Sequence, residues 1–439
     1  MNGKLIQTVS KPIRNSLYNS KSTASLLNSL LILKVCGNSK IVEKAPLLLE
    51  ALKKVGLKAP TNMLLKNTMF AHFCGQTTHE VSQLMGKLKA NGVGSILDLA
   101  FEADESQGEK NFIQAIRESR RISAMMRQSI DAASLEQGSF VALKITAFMP
   151  PHVLQRWSNS LNASSNDSNL PYSDSSQNKD WECMRVGDLK VIEYVYRHIE
   201  SVCAYAAEKN VQVFIDAEQT HFQPAIDSVA YKLCSRFNTD GITRIYNTYQ
   251  LYLKDGLSRM MADMQKAKDS GYLVGAKIVR GAYMQSESER AKRLGIPCPI
   301  NATLEETHSM YNEALSYLLQ SKSCGRFVVA SHNRESIELA MDAASREEGG
   351  FDSSRMAFAS LLGMQDRLVM DIVEREFSCY KYIPYGPVEV TIPYLVRRAQ
   401  ENSTLMSSPS ARAELSELKE EFLRRIGMRP TPNLEYASF

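Results

Sequence analysis

The sequence has no run of about eighteen apolar residues, the length a helix needs to cross a bilayer. Its nearest approach, Leu26–Val35, is broken by Asn28, Ser29 and Lys34. CxxC pairs are also absent. The eight cysteines (36, 74, 183, 203, 234, 298, 324 and 379) are scattered, which suits reduced thiols in an intracellular compartment better than a disulfide framework. His72, Cys74 and His79 have no fourth ligand at a useful spacing, so no metal is expected. Neither a Walker loop nor HExxH occurs, and Gly92-Val93-Gly94 lacks the third glycine of a dinucleotide-binding turn. No acid precedes Glu43. Residues 1–42 carry six basic side chains (Lys4, Lys11, Arg14, Lys21, Lys34, Lys40), whereas the whole chain is only +4. The remainder is therefore slightly acidic, which argues against nucleic acid as a partner. The acid-free, Ser-containing N-terminus suits a mitochondrial import signal; the alternative is a frayed basic tail.

What the sequence does have is cadence. Residues 20–90 show apolar residues at helical spacing, as in Leu26-Leu27-Leu30-Leu31 and Leu47-Leu48-Leu49-Leu52. Eight short apolar strands follow: 95–101, 140–148, 211–218, 244–250, 273–280, 326–331, 356–362 and 380–385. Amphipathic helices fill the gaps, for example 111–135, 189–208, 257–268 and 305–319. Strands alternating with helices imply a parallel α/β sheet, and eight units are enough to close a (βα)8 TIM-type barrel; an open doubly wound sheet is the rival. The expected organisation is a basic N-terminus and helical arm (1–90), the barrel (91–410) and a C-terminal helix and tail (411–439). The polar stretch 158–179 is expected to be a mobile surface insertion.

Barrel enzymes place their chemistry at the C-terminal strand ends. Those ends carry Lys144, Asp216 with Glu218, Asn247 with Gln250, Lys277 with Arg280 and Tyr283, His332 with Asn333, and Tyr382. Lys144 and Lys277 stand in apolar strand settings, where an unpaired ammonium is costly, so each needs an anion. Near the end of the chain, Tyr394, Arg397, Arg398 and Glu401 share one face of a helix. Paired guanidiniums match a carboxylate through their planar donor forks. By spacing alone, a solvated surface pair on an ordinary final helix is the favoured reading.

Several segments resemble the proline dehydrogenase family: 213–226 (VFIDAEQTHFQPAI), 245–255 (IYNTYQLYLKD), 275–284 (GAKIVRGAYM), 328–333 (VVASHN), 358–364 (FASLLGM) and 380–403. The resemblance implies a distorted barrel that binds FAD, with a final helix capping the mouth. It implies that Lys144, Arg397 and Arg398 clamp the substrate carboxylate, with Tyr394 over the substrate and Asp216 and Glu401 balancing the charge. It places Asn247, Lys277, Val279, Gly281, Ala282, Tyr283, Ser331, His332, Asn333 and Glu401 at the flavin. Leu361 and Tyr382 would wall the substrate ring, Tyr283 would also line the substrate side, and the bulk of Tyr382 favours proline over hydroxyproline. The implied reaction is oxidation of L-proline to Δ1-pyrroline-5-carboxylate, the first step of proline catabolism, with electrons passed to a membrane quinone. Peripheral contact with the matrix side of the inner mitochondrial membrane would follow. Hydroxyproline oxidation and a Schiff-base aldolase using a strand lysine are the alternatives.

Overall fold

A computed structural model describes residues 21–75, 77–101, 109–165, 184–346, 351–387, 390–392, 394–396, 399 and 409–428. Eight parallel strands close into a barrel: β1 (Val93–Leu99), β2 (Phe140–Leu143), β3 (Gln212–Ile215), β4 (Ile245–Gln250), β5 (Val274–Val279), β6 (Cys324–Ala330), β7 (Met356–Leu361) and β8 (Ser378–Tyr385). Neighbours in sequence are neighbours in space, and β8 pairs back onto β1 from Val93↔Cys379 to Leu99↔Tyr385. All eight expected strands are present. The largest boundary difference is at β2, where the chain leaves the strand after Leu143 and makes one helical turn at Ile145–Phe148. The turn is tied to the end of β3, because the Glu218 carboxylate accepts both the Thr146 amide and its hydroxyl.

Among the described residues, α1 (Thr23–Cys36), α2 (Ser39–Lys54), α3 (Lys58–Leu65) and α4 (Thr78–Lys89) precede the barrel, with short helical turns at Lys66–Phe70 and Ala71–Phe73 between α3 and α4. The strand connections carry α5 (Phe112–Ser134), α6 (Pro151–Ser165), α7 (Val186–Glu208), α8 (Gln223–Phe237), α9 (Gly256–Ser270), α10 (Met284–Leu294), α11 (Leu304–Gln320), α12 (Arg334–Arg346) and α13 (Asp366–Glu374). α14 (Pro409–Arg425) lies beyond β8. The expected polar insertion begins later than its composition suggests. α6 continues through its first eight residues, because Val153, Leu154 and Trp157 are buried at helical spacing and Ser158 accepts the Ala225 amide at 3.2 Å. Its remainder lies outside the described residues.

Alternation along the strands separates two cores. Residues facing outward join the inner faces of the helices in one large apolar shell. Residues facing inward form a smaller cluster, floored by Phe140, Phe214, Tyr246 and Tyr380. The Phe140 and Phe214 rings stack at 4.5 Å, and Tyr246 and Tyr380 meet them edge-on. This floor plugs the barrel, so polar chemistry is confined to the layer above it.

α1 and α14 pair through Leu26, Leu30, Leu33 and Leu418. Asp366, at the start of α13, anchors them by binding Lys21 at 2.8 Å and the β8 residue Lys381 at 2.9 Å. Ile32, Cys36, Val42 and Phe73 then pack with Met364, Tyr394 and Leu395 in a cluster that reaches Leu361 at the end of β7. The helical arm is thereby held at the end of the barrel where the strands terminate.

Candidate active site

Above the aromatic floor lies a layer of buried charge. Lys144, the residue after β2, pairs with Asp98 of β1. Lys277 of β5 pairs with Asp216, the residue after β3. All four are at most 7% exposed, and each ammonium has the anion that its apolar strand demands. The Lys277 ammonium also sits 4.7 Å from the centre of the Phe214 ring, an attractive cation–π placement. The Tyr382 hydroxyl donates to the second Asp216 oxygen at 2.6 Å.

The electrostatics follow from this packing. Burial alone would push the Asp216 carboxyl up, but Lys277 and then Lys144 outweigh it and hold the group below its usual range. Burial and then the Asp216 charge push the Tyr382 hydroxyl well above its usual value, so it remains a donor. The site therefore presents a fixed carboxylate between two ammonium groups.

Tyr394 lies in the helical stretch that includes 390–392, 394–396 and 399. It is buried, with its ring centre 6.0 Å from the Lys144 ammonium. That contact brings the stretch around Tyr394, which precedes α14, over the C-terminal end of β2. Arg397, Arg398 and Glu401 are outside the described residues. Leu361 stands at the rim, where its amide donates to His332 Nε2 at 3.1 Å, joining the ends of β6 and β7. Ser331 accepts the Asn333 amide at 3.0 Å, and Asn333 accepts the Ser336 amide at 2.8 Å, which together start α12. Val279 pairs with Ala330, and Gly281, Ala282 and Tyr283 form the turn into α10, where the Tyr283 amide donates to the Tyr252 hydroxyl at 3.3 Å.

Asn247 is placed differently from the expectation. It faces outward on β4 and donates to Asp227 of α8 at 3.1 Å. Period-two alternation instead turns Tyr246, Thr248 and Gln250 inward. Gln250, fully buried, donates to the Glu218 carbonyl at 3.0 Å and the Tyr252 hydroxyl at 2.9 Å. Its amide oxygen has no partner among the described residues. Asp98, which pairs with Lys144, is the other site residue absent from the expectations drawn from the sequence. The signal was present, since an acid inside the apolar run Ile96-Leu97-Asp98-Leu99 calls for a cation by the argument applied to Lys144.

Comparison with known proteins decides the family. A model of the family "Proline dehydrogenase" matches residues 81–410. The chain belongs to the proline dehydrogenase family. "Proline dehydrogenase 1, mitochondrial" of Dictyostelium discoideum is 34% identical over 436 residues, covering 94% of this chain and 74% of that protein. A "Hydroxyproline dehydrogenase" of Xenopus laevis is 29% identical over 426 residues, covering 93% and 89%. Among solved structures, proline utilization A from Bdellovibrio bacteriovorus, inactivated by N-propargylglycine, superposes with a TM-score of 0.63 at 18% identity. That match covers 96% of this chain and 42% of that one, and it bears on the fold alone.

The residues at the mouth fit the flavin expected of a proline dehydrogenase. The unpartnered buried amide oxygen of Gln250 offers an acceptor, and the buried Lys277 ammonium offers a donor. Such a ring of directed donors and acceptors above a closed apolar floor suits a flat, polar-edged heterocycle.

Proposed function

We propose that this chain oxidises L-proline to Δ1-pyrroline-5-carboxylate with bound FAD and passes the electrons to a membrane quinone from the matrix side of the inner mitochondrial membrane. As a proline dehydrogenase family member it is an oxidoreductase. The observation that carries the substrate reading is the buried Lys144 ammonium beneath Tyr394, at the mouth of a plugged barrel. FAD, when bound, supplies the hydride acceptor for this chemistry.

The roles of the chain's own groups follow from charge and shape. Lys144 takes one edge of the substrate carboxylate, and Arg397 and Arg398 provide the guanidinium forks for the rest. Anchoring the carboxylate fixes the ring carbon beside nitrogen, and this orientation is the main catalytic contribution. The surrounding cations disfavour the ammonium form of the substrate, so its nitrogen gives up the extra proton before oxidation. Leu361 and Tyr382 wall the ring, and Tyr394 excludes water. Lys277, Gln250, Val279, Gly281, Ala282, Tyr283, Ser331, His332 and Asn333 would hold the flavin, with Glu401 balancing the arginines.

Anaerobic titration of the purified yellow protein with L-proline tests the reading. The flavin absorbance should bleach in proportion to proline added. A colourless protein whose substrate is trapped on lysine by borohydride would instead establish the aldolase reading.

A further inference from the structure

Exposed large apolar side chains are unevenly spread over the described residues. Ten lie within residues 27–64, whereas fourteen are scattered over residues 112–428. The ten belong to the helical arm, and they are ordered. On α1, Leu27, Leu31 and Val35 recur at four-residue intervals, on a different face from the leucines that pack on α14. On α2 and its following turn, Ile41, Leu48 and Val55 recur every seven residues and again share one face. Leu47, beside that stripe, is 70% exposed. α3 buries none of its residues and leaves Met63 and Leu64 67% and 64% exposed. A helix of that length with nothing buried has little tertiary packing to hold it.

The charge around these stripes has one sign. Lys34, Lys40, Lys44, Lys58 and Lys66 are exposed on the same arm. The arm's only acids between residues 21 and 66 are Glu43 and Glu50, and Glu50 is already paired with Lys54 at 2.8 Å. Apolar stripes fringed by lysine are the pattern of a helix lying in a lipid interface, where the stems run along the apolar surface and the ammonium groups reach phosphate.

We propose that the outer faces of α1, α2 and α3 seat this enzyme on an anionic lipid bilayer. The proposal rests on the reading of a membrane-borne electron acceptor and names the surface that reading requires. Position supports it. The inner side of the same arm contributes Ile32, Cys36, Val42 and Phe73 to the cluster containing Tyr394 and Leu361. Lipid bound to the outer side would therefore lie at the end of the barrel that holds the candidate site, where a lipid-dissolved acceptor needs to arrive. Lipid, rather than a second copy of the chain, is favoured because two such lysine-fringed faces repel each other.

The test is sedimentation of the full-length, flavin-loaded protein with vesicles of phosphatidylcholine plus cardiolipin, or of phosphatidylcholine alone. Wild type should partition onto the anionic vesicles about tenfold more strongly than onto the neutral ones. The variant Leu48→Asp/Val55→Asp/Met63→Asp should lose about tenfold in that partition, while proline still reduces its flavin in solution at the wild-type rate. Lys44→Glu/Lys58→Glu leaves the apolar stripes intact and should abolish the preference for cardiolipin. If both variants sediment as wild type does, the surface is wrongly placed although membrane association stands. Wild-type protein that ignores both kinds of vesicle overturns the membrane reading itself. A wild-type dimer dispersed by the triple substitution, with vesicle binding unchanged, makes the face a contact between copies and also overturns the proposal.

Discussion

The hydroxyl of Tyr382 donates to Oδ2 of Asp216 across 2.6 Å, binding β8 to the end of β3 through the barrel interior. Lys277 of β5 holds the other oxygen of the same carboxylate. One buried carboxylate thus orients both the residue expected to wall the substrate and the ammonium expected to face the flavin. Neither partner is near Asp216 in sequence.

Replacing Tyr382 by Phe removes that hydrogen bond but keeps the ring. Unfolding free energy should fall by about 1–2 kcal/mol, since the Asp216 oxygen loses a buried donor. Tyr382→Ser also removes the bulk. It should raise the hydroxyproline-to-proline ratio of kcat/KM by about tenfold or more. A ratio that stays where it was would remove Tyr382 as the specificity element.

Asp216→Asn leaves Lys277 buried without its anion, and should cost about 3–5 kcal/mol of stability at neutral pH. The pH dependence has a definite sign. Because the folded pKa of Asp216 is depressed, its contribution is present above the unfolded value, about 3.9, and is lost as pH falls through the folded one. The wild-type advantage in Tm over the Asn variant should therefore be constant from neutral pH down to about pH 4 and shrink below it. An advantage that disappears well above that point would contradict the buried pair.

His72 predicts a second pH effect, at milder acidity. Burial, and then the Lys21 charge, push its imidazole down to about 4, with Nδ1 lying 3.1 Å from the Ser29 hydroxyl. The unfolded chain binds a proton near pH 6.5, so stability should decline as pH falls from there toward 4, by about 3 kcal/mol in all. His72→Gln should flatten this limb of the stability curve. Gly363 makes the site strict: at φ +76° it abuts His72, and an added Cβ would stand 2.7 Å from the His72 carbonyl oxygen.

Glu414 of α14 accepts the Gln365 and Asp366 amides at 3.1 and 2.9 Å, capping α13 from outside its own segment. The loop so held begins at Leu361. Glu414→Ala should lower stability by about 1–3 kcal/mol. It should also raise KM for proline about three- to tenfold with a smaller change in kcat, because the rim loosens while the clamp remains. Unchanged KM at reduced Tm would confine Glu414 to a structural role.

The barrel was legible because its evidence repeats. Eight apolar runs separated by amphipathic helices leave few topologies, and each run contains a strand, although the second stops at Leu143 and turns helical over the rest of its expected span. Lys144 and Lys277 were legible for a local reason, since ammonium groups in apolar strands require partners. Which anion each one takes was not. Asp98 and Asp216 are 46 and 61 residues from their lysines, and closure of the sheet chooses the pairs. Asn247 and Gln250 show the same limit, because three residues of offset reverse the face of a strand and only the observed register tells which amide looks into the mouth.

Periodicity and composition by themselves determined eight alternating strand–helix units of a parallel sheet, a basic helical arm, and a set of polar residues at the strand ends. Those are properties of short windows of chain, where spacing dictates which side chains share a face. The tertiary structure decided the rest: that α1 and α14 clasp each other, that Tyr394 comes over Lys144, and that Asp216 sits between Lys277 and Tyr382. Such contacts depend on how distant segments are brought together by burying apolar surface, and no local spacing encodes that outcome.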